Sequence, residues 1–216
     1  MSLEKIAALP KTIYYNLKIF GWGGVKLPII FSHKVIIHGI RRGCIEIKNL
    51  QKNRIYIGFG GTIGVEPNKN TVLSFGPSAV LIINGTAQIA AGSVFRIDAG
   101  AIRLGESFSC NRNCFISCSK EITFGSYCLL GWNVNIRDSD GHNLIKDGNR
   151  CEKEKAVSIG NHVWIAANVD ILKGVTIPSN CVIGYRSCVT NNFKEKDCLI
   201  AGYPARVIRK NISWEK

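Results

Sequence analysis

The stretch that decides the fold is residues 159–193, which divides into successive blocks of six: IGNHVW, IAANVD, ILKGVT, IPSNCV, IGYRSC and VTNNF. The first position of each block is aliphatic: Ile159, Ile165, Ile171, Ile177, Ile183 and Val189. The fifth position is small: Val163, Val169, Val175, Cys181 and Ser187. Six is the wrong period for an α-helix and is too regular for a β-sandwich. It predicts a solenoid of triangular coils, with the aliphatic residue pointing inward and the small one at a tight corner.

The same period runs earlier in the chain, with slips in register that imply bulges. Its aliphatic and small positions fall on Ile83, Ile89, Phe95, Leu104, Cys110, Ile116, Ile122, Phe124, Leu130 and Ile136. At roughly 18 residues per coil, residues 73–193 supply six or seven coils. We predict a basic, β-rich N-terminal segment over residues 1–72, with a short amphipathic helix within 3–20. Residues 73–210 are the predicted solenoid domain, interrupted by a loop at 137–157.

Two segments carry a family resemblance: VSIGNHVWIAANVDILKGVTIPSNCVIG (157–184) and AGYPARVIRK (201–210). They resemble the hexapeptide-repeat acetyltransferases, in the branch with maltose, galactoside and xenobiotic acetyltransferases and polysaccharide O-acetyltransferases. The N-terminal third is most similar to acetyltransferases of capsule and lipopolysaccharide biosynthesis. The resemblance implies an all-β fold, a left-handed parallel β-helix with a protruding active-site loop and short helical segments at both termini. The left hand comes from the family alone, since crossover connections otherwise prefer the right hand.

The interrupting loop, RDSDGHNLIKDGNRCEKEKA (137–156), is polar, rich in turn residues and carries a histidine. Histidine is the side chain best suited to take a proton from a hydroxyl near neutral pH. The resembled family carries its catalytic histidine on a loop at this point, which implies that His142 is the general base. Asp140 is the predicted orienting residue for that histidine, with Asp138 or a backbone carbonyl as alternatives. Asp138 is also a candidate for contact with the acceptor.

The resemblance also implies where acetyl-CoA binds. The family's cofactor contacts fall on Ala167, Tyr185, Thr190, Arg206 and Arg209 in this sequence. The family's lysine after the threonine is replaced by Asn191, which removes one cationic contact. Trp164 matches a tryptophan that borders the family's active-site cleft, and plain packing is the alternative role for it.

The chain has 28 Lys and Arg against 15 Asp and Glu, a net charge of +13. Such an excess suits an anionic partner: nucleic acid, a phosphorylated cofactor or an acidic membrane surface. No recognisable nucleic-acid module accompanies it, and nucleic-acid binding is not expected. The excess is concentrated in residues 1–60, among Tyr14, Tyr15, Phe20 and Trp22, which favours peripheral membrane contact. The alternative is that these aromatic residues pack on the first coil and the lysines only keep the protein in solution.

Nine cysteines, an odd number without a C-x-x-C pair, favour reduced thiols and argue against a zinc ribbon. Four histidines without a three-ligand spacing predict no metal site. No apolar run approaches the length of a membrane span, and no export signal precedes a cleavage site. We therefore expect a cytoplasmic protein, acting at the inner face of the membrane if the N-terminal segment binds lipid.

Together these features predict an acetyl-CoA-dependent O-acetyltransferase that modifies a sugar hydroxyl in surface polysaccharide (capsule or lipopolysaccharide) biosynthesis. Two alternatives stay open: N-acetylation of an amino sugar, and a non-catalytic β-helix that acts as a scaffold. The resemblance further implies a homotrimer with active sites at the subunit interfaces, since periodicity says nothing about oligomeric state.

Overall fold

The computed structural model describes residues 3–49, 55–66 and 70–215. Two short helices, α1 Leu3–Ala7 and α2 Leu9–Phe20, precede a 3₁₀ turn over Gly21–Lys26. The predicted N-terminal helix is thus confirmed, ending at Gly21, whose φ of 59° suits a glycine. The rest of the described chain is built from strands, numbered here in chain order. Among the described residues, no helix has the length and apolar character needed to cross a bilayer.

The strands stack into three parallel sheets that form the sides of a triangular prism. Sheet A contains β1 Ile29–Phe31, β4 Ile55–Ile57, β7 Ala87–Ile89, β10 Phe108–Cys110, β13 Leu129–Leu130, β18 Trp164–Ile165, β21 Val182–Ile183, β23 Leu199–Gly202 and the antiparallel β24 Ala205–Arg209. Sheet B contains β2 Val35–His38, β5 Thr71–Phe75, β8 Val94–Ile97, β11 Phe115–Cys118, β14 Asn135–Arg137, β19 Asp170–Ile171 and β22 Cys188–Val189. Sheet C contains β3 Ile45–Lys48, β6 Val80–Asn84, β9 Ala101–Leu104, β12 Glu121–Phe124, β17 Val157–Ile159 and β20 Thr176–Ile177. A separate hairpin, β15 Ile145–Lys146 and β16 Asn149–Arg150, lies in the loop.

The inward column predicted from the six-residue period is confirmed. The side chains from Ile159 to Val189 at that spacing are at most 1% exposed, and so are the five small residues at the fifth position. Ile136, Ile171 and Val189 are in register across β14, β19 and β22, so each coil covers the apolar edge of the next. The stability of such a stack is close to a sum of neighbouring interfaces.

The corner between sheets A and B turns through left-handed backbone. Asn133 and Asn168 have φ of 56° and 57°, and the two side-chain amides bond to each other at 3.1 Å. Asparagine tolerates this backbone region better than most residues, which explains the NNV and ANV patterns of the coils. Arg186 takes the same conformation one coil later and donates its backbone N–H to the Ala167 carbonyl.

Both ends of sheet A are covered, which removes a template for edge-to-edge association. At the start, α2 supplies side chains that imitate a neighbouring strand. Asn16 exchanges hydrogen bonds with the N–H and C=O of Ile29, and the Thr12 hydroxyl does so with Phe31. At the other end β24 folds back on β23.

Two boundaries differ from those expected. The three sheets run without a break across residues 72 and 73, because β5 spans them and β1–β3 already form a complete coil. The C-terminal segment, expected to be helical, forms the β23–β24 hairpin instead. Alternating burial of Ala205, Arg206 and Val207 against sheet A accounts for the extended backbone.

Candidate active site

The loop leaves the prism after β14 of sheet B and returns at β17 of sheet C. Its tip is the β15–β16 hairpin, turned by Asp147 and Gly148, both at positive φ. Asp-Gly is a favoured pair for such a two-residue turn. All ten residues from 141 to 150 are exposed. The polar insertion predicted from the sequence therefore projects from the β-helix into solvent.

The base of the loop is fixed by Asp138, which is fully buried. Its carboxylate accepts backbone N–H bonds from Ser119, Lys120 and Glu121 at 2.7, 2.7 and 2.8 Å. This placement differs from the expected contact with His142 or with the acceptor, because both carboxylate oxygens are occupied inside the protein. Asp138 thereby positions the loop rather than the substrate.

Asp140 is also engaged elsewhere. Its carboxylate forms an ion pair with Lys173 at 2.5 Å, and the same ammonium group donates to the Glu152 carbonyl at 2.6 Å. The predicted pair of His142 and Asp140 is therefore not formed within this chain. His142 is exposed, and no described residue provides its ring with a hydrogen bond or an ion pair. Lys173, which ties the loop to the next coil, was not predicted as a functional residue.

The predicted cofactor residues lie on two different corners. Ala167, which is 5% exposed, and the exposed Tyr185 occupy the corner between sheets A and B. Thr190 follows β22 and is exposed at the corner between sheets B and C, where the loop also leaves. Arg206 and Arg209 are exposed on β24. Neither guanidinium has a carboxylate partner in the part of the chain that the structure describes, so both are free to meet anionic groups.

Trp164 projects outward from sheet A with 38% of its surface exposed. Trp214, in the C-terminal tail, lies 6.1 Å from it between ring centroids. The Trp214 ring stacks on His162 at 4.2 Å and 7°, and its indole N–H bonds to the His162 carbonyl at 3.0 Å. His162 is thereby held in an aromatic stack beside Trp164, a pairing that no sequence pattern indicated.

A polar groove on sheet B was also missed by sequence reasoning. Arg96, Ser117 and Arg137 are partners in register on β8, β11 and β14, and they share the outward face of the sheet. The signal was present in the sequence, since these residues recur at one coil's spacing. It lay in the outward positions, which the search for an apolar period passes over.

The cysteines take no visible part in the site. All nine are free, and eight are buried. Burial raises the pKa of the Cys128 thiol to about 11, so that this thiol stays protonated at neutral pH. The apolar surroundings of the prism, followed by the nearby Asp138 carboxylate, likewise raise the pKa of Cys118. These thiols act as small packing residues.

No family model matches the sequence. An uncharacterized 24.8 kDa protein in the cps region of Klebsiella pneumoniae is 32% identical over 88% of this chain and 82% of its own length. A putative lipopolysaccharide biosynthesis O-acetyl transferase, WbbJ of Escherichia coli K12, is 30% identical over 62% of this chain and 76% of its own length.

Solved structures share the architecture. The polysialic acid O-acetyltransferase OatWY aligns over 87% of this chain and 90% of its own, with a TM-score of 0.51 and 27% identity. An N-acyltransferase from Bacillus cereus, AntD, solved in complex with dTDP and coenzyme A, aligns over 84% of this chain and 80% of its own, with a TM-score of 0.50. Its 19% identity makes that likeness one of fold. The stacked six-residue coils, the projecting loop with its histidine and these relatives together show that the chain belongs to the hexapeptide-repeat acetyltransferases and has their left-handed parallel β-helix fold.

Proposed function

We propose that the protein transfers the acetyl group of acetyl-CoA to a saccharide hydroxyl during surface polysaccharide (capsule or lipopolysaccharide) biosynthesis. The observation that carries the proposal is the His142 ring, presented on an anchored loop without an internal partner. The names of the relatives, one in a cps region and one in lipopolysaccharide biosynthesis, support the substrate class.

In this mechanism His142 takes the proton from the acceptor hydroxyl as its oxygen attacks the thioester carbonyl. The new C–O bond forms, the C–S bond breaks, and the proton passes from the imidazolium to the departing thiolate. A backbone N–H at the corner of a coil holds the oxyanion that develops on the carbonyl oxygen. Neither Asp138 nor Asp140 contacts His142 in the isolated chain, so any orienting group for the imidazole comes from the acceptor or a second subunit.

The proposed assembly is a homotrimer with shared sites. Within one chain, His142 leaves the corner between sheets B and C, whereas Ala167 and Tyr185 lie at the corner between sheets A and B. A neighbouring copy would bring the two sets together. Light scattering should give the mass of three chains at micromolar concentration, and a stable monomer would overturn the assembly. Mixed trimers of H142A with an R206A/R209A double variant should recover activity at low acetyl-CoA that neither variant has alone.

Arg206 and Arg209 are the proposed contacts for the phosphates of acetyl-CoA. Their guanidinium groups are exposed and have no carboxylate partner in the described residues, and arginine binds phosphate with paired N–H donors. Replacing both with alanine should raise the KM for acetyl-CoA far more than it lowers kcat, the pattern of lost uniform binding. Arg103→Ala, on sheet C and paired with Glu121, is the matched control and should leave that KM unchanged.

The activity is tested by following CoA release chromatographically, since nine free thiols would react with thiol reagents. A product acetyl group that is released by mild alkali identifies an ester, and an alkali-stable product identifies the N-acetylation alternative. Failure to bind CoA at all would favour a scaffold and overturn the proposal.

The finer location that we propose is the surface of an acidic membrane. The outer face of the N-terminal region exposes a set of large apolar side chains: Ile6, Ile13, Tyr14, Leu17, Trp22 and Val25. Trp22 is 91% exposed, and the exposed Lys18 and Lys26 flank the set. Two more cations of the basic N-terminal region, Lys52 and Arg54, lie outside the described residues.

The inner face of α2, with Tyr15 and Ile19, packs on the prism, so packing accounts for only half of these aromatic residues. Each cation near an anionic surface contributes about 1 kcal/mol. The protein should co-sediment with phosphatidylglycerol vesicles at low salt and not with phosphatidylcholine vesicles. W22S/K18Q should lose this binding, while Ile63→Ser, an exposed apolar residue elsewhere, should keep it. Equal recovery with both vesicles would overturn the proposal.

A further inference from the structure

A groove of about 330 Å³ lies on the outer face of sheet B, directly below the histidine loop. Its floor is the row of outward residues Arg96, Ser117 and Arg137, which occupy equivalent positions on three successive strands about 4.8 Å apart. Its upper wall is the first part of the loop, with Asp140 and Gly141, and His142 follows Gly141 in the chain. The groove thus ends one residue from the proposed general base.

The charges of the groove do not cancel internally. Three cations, Arg96, Arg137 and Lys153, line it, together with the carboxylates of Asp98 and Asp140. Both carboxylates are already engaged, Asp98 by Arg96 at 2.8 Å and Asp140 by Lys173 from outside the lining.

Arg137 is the cation that remains available. Its one hydrogen bond within the described residues runs from Nη2 to the Asn135 side chain at 3.2 Å, and no carboxylate meets its guanidinium there. Lys153 has only a long, half-exposed contact of 3.6 Å with Glu154. A ligand carboxylate or phosphate would therefore find two cations with little competition.

The uncharged lining suits a sugar ring. Ser117, Ser119 and Ser139 offer hydroxyl groups that can both donate and accept hydrogen bonds. Half-buried Phe115 adds an apolar surface against which the C–H face of a pyranose can pack. A few converging polar groups around an apolar surface are typical of small-molecule sites.

We propose that this groove holds the acceptor and that the acceptor is an anionic saccharide, with Arg137 as the residue that selects its negative charge. The proposal rests on the proposed function, because it assigns the acceptor of that reaction. A carboxylate on a uronic or sialic acid and a phosphate on a glycan share the required chemistry. The groove also explains why the loop is tied down at Asp138 and Asp140, since both anchors fix its upper wall.

The test uses two matched pairs of probes. One is a short oligogalacturonate and its methyl ester, and the other is pentamannosyl phosphate and its dephosphorylated form. Binding is measured by calorimetry at low and high NaCl. At least one charged probe should bind tenfold or more tightly than its neutral twin and weaken with salt. If both charged probes bind no better than their twins, or do not bind, the proposal is overturned.

Arg137→Gln should abolish the preference for charge, whereas Arg103→Gln, which removes one exposed cation from sheet C, should preserve it. Thermal unfolding of both variants establishes that they fold. CoA binding, measured on the same samples, separates the two levels of inference. If the wild-type protein binds no CoA, the proposed function fails; if CoA binds and charge is ignored, only the acceptor assignment fails. An R137Q variant with a raised KM for acetyl-CoA and an unchanged acceptor KM would assign the groove to the cofactor and overturn the proposal.

Discussion

The interior of the prism and the loop that leaves it follow opposite rules. Inside, the positions repeat every six residues and are filled by buried Ile, Val and Cys. In the loop, ten consecutive residues are exposed, and the structure is held from below by Asp138 and Lys173. The contrast indicates a division of labour in which the coils supply stability and the loop supplies chemistry. Substitutions in the two regions should therefore separate activity from stability.

The largest expected effect is at the loop. His142→Ala should reduce acetyl transfer by roughly 10²–10⁴-fold, because a general base contributes on that scale. The unfolding transition and the affinity for CoA should match the wild type, since the described chain gives the ring no internal partner. Steady-state CoA release and thermal unfolding measure the two properties. Turnover near the wild-type rate would remove His142 from the mechanism.

The reverse pattern is expected in the coils. Ile171→Ala should lower the free energy of unfolding by about 2–5 kcal/mol, because it opens a cavity between Ile136 and Val189. Activity per folded molecule should be unchanged at low temperature. Ile145→Ala makes the same change on the exposed hairpin and should alter the free energy of unfolding by less than about 0.5 kcal/mol. Similar losses from both variants would contradict the contrast.

Asp138 lies where the two regions meet. Asp138→Asn should cost about 1.5–3 kcal/mol, the usual worth of hydrogen bonds to a charged group. The amides of Ser119, Lys120 and Glu121 should exchange hydrogen faster, since they lose the carboxylate that accepts from them. Glu121→Gln, which removes an exposed carboxylate paired with Arg103, is the control for charge alone. Unchanged exchange at these three amides would show that Asp138 does not anchor the loop.

What the sequence could and could not predict follows the same division. Periodicity identified Ile159 and Ile171 as inward-facing because a coil can bury only one side chain per edge, and that rule is local. The partners of Asp138 and Asp140 are set by residues 18 and 33 positions away, and no spacing rule connects them. Proximity to His142 along the chain suggested a catalytic pair, whereas the structure uses both carboxylates as anchors. The stack of His162 and Trp214 joins residues 52 positions apart and was invisible for the same reason.

The smallest expected effect concerns the second anchor. Lys173→Gln removes the ion pair with Asp140 and weakens the bond to the Glu152 carbonyl, but the pair is partly exposed, with side-chain exposures of 20% and 38%. Such pairs contribute about 1 kcal/mol or less, so the free energy of unfolding should change little. The rate of transfer should still fall several-fold, because the loop would no longer hold His142 in one place over the next coil. Lys173→Arg should restore most of the rate, and Lys196→Gln, an exposed lysine outside the site, should leave it unchanged. Salt should narrow the gap between wild type and K173Q, since ions screen an exposed pair in the protein that has it. A K173Q variant with wild-type kcat at every ionic strength would show that Asp138 alone fixes the loop.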